Sequence, residues 1–360
     1  AGRPLISVCL VHWAPLLRLS QLWIDGLDAD DEDLAPLANM PSLNSVSLTG
    51  IPISEGTRHL RGLPNVGELY LDNTQVGDDE MAHVATLSSL HYLNLDNTHV
   101  TDQGLDQLGE LRDLPTLSLG RTAITGEGFA RWKTTGVLVR LHAWNSQLND
   151  TGLKALTRQR NLEVLDASGT NVTDAGMVHV SQMESLYTLR LSGTSVTDAA
   201  IEHLAKLQYL YALELDRTDV RGKTFSLFKD VPTLCDLSLN GTAISDEQIG
   251  ELLQRTSLER LSIVGTSRPR VATNCEPRCP VPTSPTSTTI RAANTYNRSK
   301  LKKQSGNEPI RETNESTPPP LAIQPACAAR CFRRRFGRIR RIRSLPGTLP
   351  RPSAADECGL

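Results

Sequence analysis

Ser118, His142 and Asp166 follow one another at intervals of 24 residues. Brought within reach of each other, those three types are the parts of an acyl-transfer relay: a hydroxyl nucleophile, an imidazole base and a carboxylate that orients the base. Such spacing makes them neighbours only if the chain stacks on itself once every 24 residues. On adjacent strands His142 and Asp166 can hydrogen-bond, but no further group aims Ser118, and an open strand face excludes no water. The row is therefore read as a coincidence of repeat columns, and the chain as a non-enzyme.

Two other sets invite metal chemistry. Acids recur at Asp31, Glu55, Asp78, Asp102, Asp150, Asp174, Asp198 and Asp246. A calcium site needs clustered oxygen ligands, and one carboxylate per turn does not supply them. Cys275/Cys279 and Cys327/Cys331 are separated by three residues, where zinc sites more often have two, and no histidine accompanies them. No metal or cofactor is expected, and no small-molecule substrate.

The elements that position these residues come from a repeat. Units open at Leu19, Leu43, Val66, Leu90, Leu114, Leu138, Leu162, Leu186, Leu210 and Leu234, and an eleventh begins at Leu258. In every full unit the first position and those three, five and ten later are aliphatic. In "LHYLNLDNTHVTDQGLDQL", from Leu90, alternation about Leu93 and Leu95 predicts a short strand with these two inward. Thr98 stands at a position that is Thr in eight of the eleven units. Its hydroxyl is expected to satisfy turn backbone that a stacked structure buries. Three residues on come Asp30, Ser54, Gly77, Thr101, Thr125, Asn149, Thr173, Thr197, Arg221 and Ser245, mostly good helix caps. The acid that follows eight of these ten is expected to lie on its own helix's positive end. Leu105, Leu108 and Leu111 then return the helix to the core.

The unit resembles a leucine-rich repeat. Its L-x-x-L-x-L-x-x-T-x-[VI]-[TS]-D form is similar to a short class common in bacterial leucine-rich-repeat proteins, related in length to the repeats of F-box adaptors, with Thr where many families have Asn. The resemblance covers residues 19–266 and implies an α/β solenoid: a curved arc with a parallel sheet on the concave face and helices on the convex face. Leu10, Trp13 and Leu16 fall where helix residues of a preceding unit belong, so residues 1–18 are read as the end of a truncated or degenerate N-terminal repeat.

Outward strand residues form columns about 4.8 Å apart. One runs through Trp23, Tyr70, Asn94, Ser118, His142, Asp166, Arg190 and Glu214, and its neighbour through Asp72, Asp96, Gly120, Trp144 and Asp216. Only 15 Phe, Trp and Tyr occur in the chain, so Trp23, Tyr70, Tyr92 and Trp144 on this face are read as interface anchors. The densest spot is Arg140, His142 and Trp144, with Gly120 leaving room for the indole and Asp166 alongside. The acids Asp72, Asp96 and Asp166 favour a basic protein or peptide partner.

Charge divides the chain. Residues 1–266 hold 20 Lys and Arg against 34 Asp and Glu, and residues 267–360 hold 18 against 6. The second stretch carries 13 of the 21 prolines and too few apolar residues for a core, so a disordered tail is expected. Its block Arg333, Arg334, Arg335, Arg338, Arg340, Arg341 and Arg343 suits nucleic acid or an anionic membrane. The same Arg- and Pro-rich composition is what a shifted reading frame of a GC-rich gene yields. Seven cysteines, only Cys9 and Cys235 of them before residue 267, argue against a disulfide framework. No signal peptide and no apolar run of the ~18 residues a membrane span needs are visible. These absences leave the compartment open, with a lean to the cytoplasm. The sequons at Asn149, Asn171 and Asn240 follow from the repeat's own preferences. The function read from the sequence is a non-enzymatic scaffold that binds a protein or peptide on its concave face. A substrate-recognition subunit of a ubiquitin-ligase-like complex and binding through the basic tail are the alternatives.

Overall fold

The computed structural model describes residues 18–255, 257–265 and 290–291. Residues 1–17 and almost all of the tail, with its two cysteine pairs and its arginine block, lie outside them.

Eleven three-residue strands recur once per unit: β1 Gln21–Trp23, β2 Ser45–Ser47, β3 Glu68–Tyr70, β4 Tyr92–Asn94, β5 Thr116–Ser118, β6 Arg140–His142, β7 Val164–Asp166, β8 Thr188–Arg190, β9 Ala212–Glu214, β10 Asp236–Ser238 and β11 Arg260–Ser262. Each pairs in parallel with the next, so the sheet follows sequence order. The two-residue strand β12, Ile290–Arg291, adds to β11 in the antiparallel sense. Register is fixed by the central apolar residue, as in Leu69↔Leu93↔Leu117↔Leu141. A slip by one residue would turn that buried row to solvent.

The aliphatic positions of each unit meet in one continuous core. Leu93, Leu95, Val100, Leu105 and Leu108 are all fully buried, and the same positions are buried in most other units, with Ile249 and Ile263 partly buried near the end of the stack. Each side chain hidden this way contributes roughly 1.5–3 kcal/mol, realised only against the neighbouring units.

The turn threonines act as expected. Thr74, Thr98, Thr122, Thr170, Thr194, Thr218 and Thr242 donate their hydroxyls to the carbonyl three residues back, at 2.6–2.7 Å, and Ser146 does the same in its unit. Just before each of these residues the chain enters the left-handed region. Gly or Asn holds most of these positions, but Arg121 and Arg217 adopt φ of 55° and 53°.

The segments opposite the sheet differ from the expectation of a helix in every unit. α-Helices span Asp78–Val84, Asp102–Gln107, Asp150–Leu156, Asp174–Val180, Asp198–Leu204 and Asp246–Arg255, whereas Glu32–Asn39, Gly56–Leu60, Glu127–Arg131 and Phe225–Asp230 are 3₁₀. The sequence gives a reason in two of the four. Gly126 and Gly222 stand where other units have the acid, at φ of 90° and 84°. The 3₁₀ turn then places residues three apart on one face, so the pairs Phe129–Trp132 and Phe225–Phe228 both point into the core.

Caps are confirmed at Thr101, Asn149, Thr173 and Thr197, whose side chains accept from backbone N–H groups of the first turn. The acids that follow act differently from expectation. Asp78, Asp102, Asp150 and Asp174 turn their carboxylates to the next unit and accept from the N–H and hydroxyl of Thr101, Thr125, Thr173 and Thr197. Asp31 and Asp198 reach the following unit's backbone in the same way. These acids bind unit to unit; they do not gather into a cation site.

Candidate functional site

On the strand face the side chains of β3 to β9 form three groups. The first is aromatic. Tyr70 and Tyr92, on adjacent strands, hold their rings 4.9 Å apart at a 36° tilt. Burial pushes both phenols up, Tyr92 to about 12; Glu68 and Asp72 add to the effect at both, and Tyr70 and Asp96 add to it at Tyr92.

The second group centres on Trp144, half-buried just past β6. Its indole lies against Gly120 of the preceding unit, in the space a Cβ would occupy. The Arg121 guanidinium sits over the ring, 5.1 Å from the centroid, and the Arg121 N–H donates to the Trp144 carbonyl at 2.9 Å. Two contacts therefore join the same pair of residues. His142 is half-buried beside them, and burial lowers its pKa; Asp166 and Asp96 oppose that, while Arg190 and Arg140 reinforce it. Arg140 is exposed.

The third group is an ion-pair chain across three strands. Arg190 donates through Nε to Glu214 at 2.8 Å and approaches Asp166 at 3.6 Å. Burial works against its charge, but the two carboxylates outweigh that and raise its pKa.

This geometry does not wire Ser118, His142 and Asp166 as a relay. The Ser118 hydroxyl, itself buried, donates to Asp96 at 2.7 Å. Asp166 accepts from the Ser168 N–H at 3.1 Å and faces Arg190. Among the described residues no hydrogen bond joins His142 to either.

The acid column is also occupied. Asp72 accepts from Thr49 and Asn94 at 2.9 and 3.1 Å. Asp96 takes the Gly120 N–H as well as Ser118, and burial raises its pKa against those two bonds. Asp216 binds Ser238 and both the backbone and side chain of Asn240. Before they meet any partner these carboxylates join one strand turn to the next. Trp23 stands apart on β1, 68% exposed, whereas Tyr70, Tyr92 and Trp144 are less open than their outward positions imply.

Sequence reasoning passed over two features. Arg121 has the positive φ and the indole contact just described. Tyr187 and Tyr211, just before β8 and β9, stack with centroids 4.8 Å apart and planes within 2°. Their separation of one repeat length was the available signal. Among the described residues no group of three or more His, Cys, Asp or Glu could hold a metal ion, and no helix is long and apolar enough to cross a membrane.

No protein-family model matches the sequence, and no curated protein matches it. Solved structures do. An internalin of Listeria monocytogenes superposes with a TM-score of 0.53 at 17% identity, over 74% of this chain and 89% of that one. The Arabidopsis receptor kinase HAESA, solved in complex with the peptide hormone IDA and the co-receptor SERK1, gives a TM-score of 0.50 at 17% identity. That likeness covers 68% of this chain and 43% of the HAESA chain. With its repeat period, in-order parallel sheet and opposing helices, the chain is in fold a leucine-rich-repeat protein.

Proposed function

We propose that this protein is a non-enzymatic scaffold whose strand face binds a protein or peptide, with Trp144 and the Tyr70–Tyr92 pair as anchors. The observation that carries the reading is the Arg121–Trp144 pair. Arg121 is held in a backbone region that costs a non-glycine residue of order 1–3 kcal/mol. Its guanidinium lies on the indole and Gly120 lies beneath it, so the ring's position is favoured before any partner arrives. Pre-ordered aromatic side chains reduce what association costs.

Partner charge follows from the rest of the face. Glu68, Asp72, Asp96, Asp166, Glu214, Asp216 and Asp236 outnumber Arg140, Arg190 and Arg260. The field over the sheet favours a basic segment even though several of these carboxylates are hydrogen-bonded. That HAESA was solved with a peptide hormone supports a peptide as one form the partner can take.

The test is affinity capture from a native lysate with the full chain, beside a Tyr70→Ser/Trp144→Ser variant of unchanged circular dichroism. A protein retained by the first and lost by the second, and then bound directly when purified, is the expected result. Identical captures by both chains would move the site off this face.

A further inference from the structure

The repeats are acidic, but their positive charge is concentrated. Residues 121–160 carry seven Lys and Arg against two acids, and the rest of residues 1–266 carries 13 against 32. On the helical side the same stretch contains a groove of about 900 Å³. It arises because the 3₁₀ segment Glu127–Arg131, only five residues long, lies between the helices Asp102–Gln107 and Asp150–Leu156. Gly128, Ala130 and Ala155 are the small residues of its lining, Arg131, Lys154 and Arg158 its cations, and Asp102 and the exposed Glu127 its acids.

The electrostatics of the lining are uneven. Asp102 is tied up: one carboxylate oxygen accepts from the N–H of Gly126 and Gly128 at 3.0 and 2.9 Å, the other from Thr125. Arg131 is shared with Asp106 at 3.3 Å. Arg158 is anchored by donating to the Ala130 carbonyl of the preceding unit, a bond that fixes the side chain without cancelling its charge. Lys154 is exposed on the helix Asp150–Leu156, and Arg158, just past the end of that helix, lines the same groove. Among the described residues neither has a carboxylate partner.

We propose that this groove is a docking site for an acidic segment of a partner protein, separate from the strand face. Lys154 and Arg158, which ion-pair with no carboxylate among the described residues, attract the carboxylates of a partner, and the small residues leave room for an extended chain to lie between the flanking helices. The acidic units on either side select for length. A short acidic peptide is framed by them, whereas a nucleic acid longer than the groove would run its phosphates into negative surface.

The test is fluorescence anisotropy with a labelled decapeptide of alternating glutamate and alanine, using the full chain at low and physiological salt. The tail holds 18 Lys and Arg. The assay is therefore also run on a chain with Arg333, Arg334, Arg335, Arg338, Arg340, Arg341 and Arg343 changed to Gln. In both backgrounds Lys154→Glu/Arg158→Glu is expected to weaken peptide binding about tenfold or more, and Lys223→Glu/Lys229→Glu to leave it unchanged. Should the double variant misfold, Lys154→Glu alone touches only an exposed side chain and is expected to cost about threefold to fivefold. Unchanged affinity in the groove variants overturns the proposal, as does binding abolished by the tail substitutions alone. Tighter binding at the groove by a ten-nucleotide single-stranded DNA than by the peptide overturns it as well.

Discussion

Asp102 and Thr125 belong to different repeat units, yet the carboxylate of one takes both the backbone N–H and the hydroxyl of the other, at 2.8 and 2.7 Å. The same oxygen pair reaches the N–H groups of Gly126 and Gly128. One side chain thus satisfies the open start of the next unit's 3₁₀ turn, where backbone donors have no partner of their own. In a solenoid, whose stability is largely the sum of contacts between neighbours, such a bond is a coupling term.

Asp102→Ala should therefore destabilise by about 2–3 kcal/mol, since it strands several partly buried donors, and Asp102→Asn, which keeps one acceptor, by about 1 kcal/mol. Asp79 is exposed and is the control: Asp79→Ala should stay within ~0.5 kcal/mol. Urea midpoints report all three. Equal midpoints for Asp102→Ala and Asp79→Ala would mean that the inter-unit bond carries no stability.

A second prediction concerns a missing cap. Gly77 occupies the cap position before Asp78–Val84 with φ of −123° and no side-chain bond, and a Cβ there would meet nothing within 4 Å. Thr101, Thr173 and Thr197 hold that place in other units with similar backbone and accept from the first turn. Gly77→Thr should raise stability by a few tenths to about 1 kcal/mol. A midpoint shift in the other direction would show that the glycine is needed for its backbone freedom.

Much of this architecture was legible because burial writes itself into the sequence with a fixed period. Leu93 and Leu95 had to point inward together, and every later unit repeated the demand. The cap acids illustrate what a one-dimensional pattern omits. Asp102 after Thr101 has the same spacing whether its carboxylate serves its own helix or the next unit, and only the stacking distance decides for the neighbour. Ser118 is similar: an outward strand position made it look available, but the Asp96 carboxylate of the adjacent turn claimed its hydroxyl. Arg121 was missed for another reason. A left-handed residue is announced by Gly or Asn in most units, and an arginine there gives no such notice.

Gly120 makes the Trp144 anchor testable. A methyl group at Gly120 would overlap the indole atoms Cε2 and Nε1, and the ring is only half-buried, so it can swing outward. Gly120→Ala should cost little stability, about 1 kcal/mol or less, while moving Trp144 off Arg121 and red-shifting the tryptophan emission. Partner binding at the strand face should fall about tenfold. Gly152→Ala is the contrast. There the added carbon meets the backbone carbonyl of Thr125, which cannot turn aside, so a loss of about 1–3 kcal/mol is expected in the urea midpoint. The reverse ranking of the two variants would contradict this account of both sites.

The last prediction is a pH dependence at His142. Burial holds its folded pKa below the ordinary 6.5, with Asp166 and Asp96 pulling it up and Arg190 and Arg140 pushing it down. Between the folded value and 6.5 the unfolded chain binds more protons than the native one. Stability therefore rises with pH through that window, is fully present above 6.5 and is lost as pH falls toward the folded value. His59 is lowered in the same direction, chiefly by burial, and adds to the slope. Urea midpoints from pH 5 to 8 should climb and level off in the native chain, and His142→Gln should flatten part of the climb while His59→Gln flattens the rest. A nuclear magnetic resonance titration of the His142 ring reads the same quantity directly. A value at or above 6.5, with an unchanged slope in His142→Gln, would show that Asp166 rather than burial governs the imidazole.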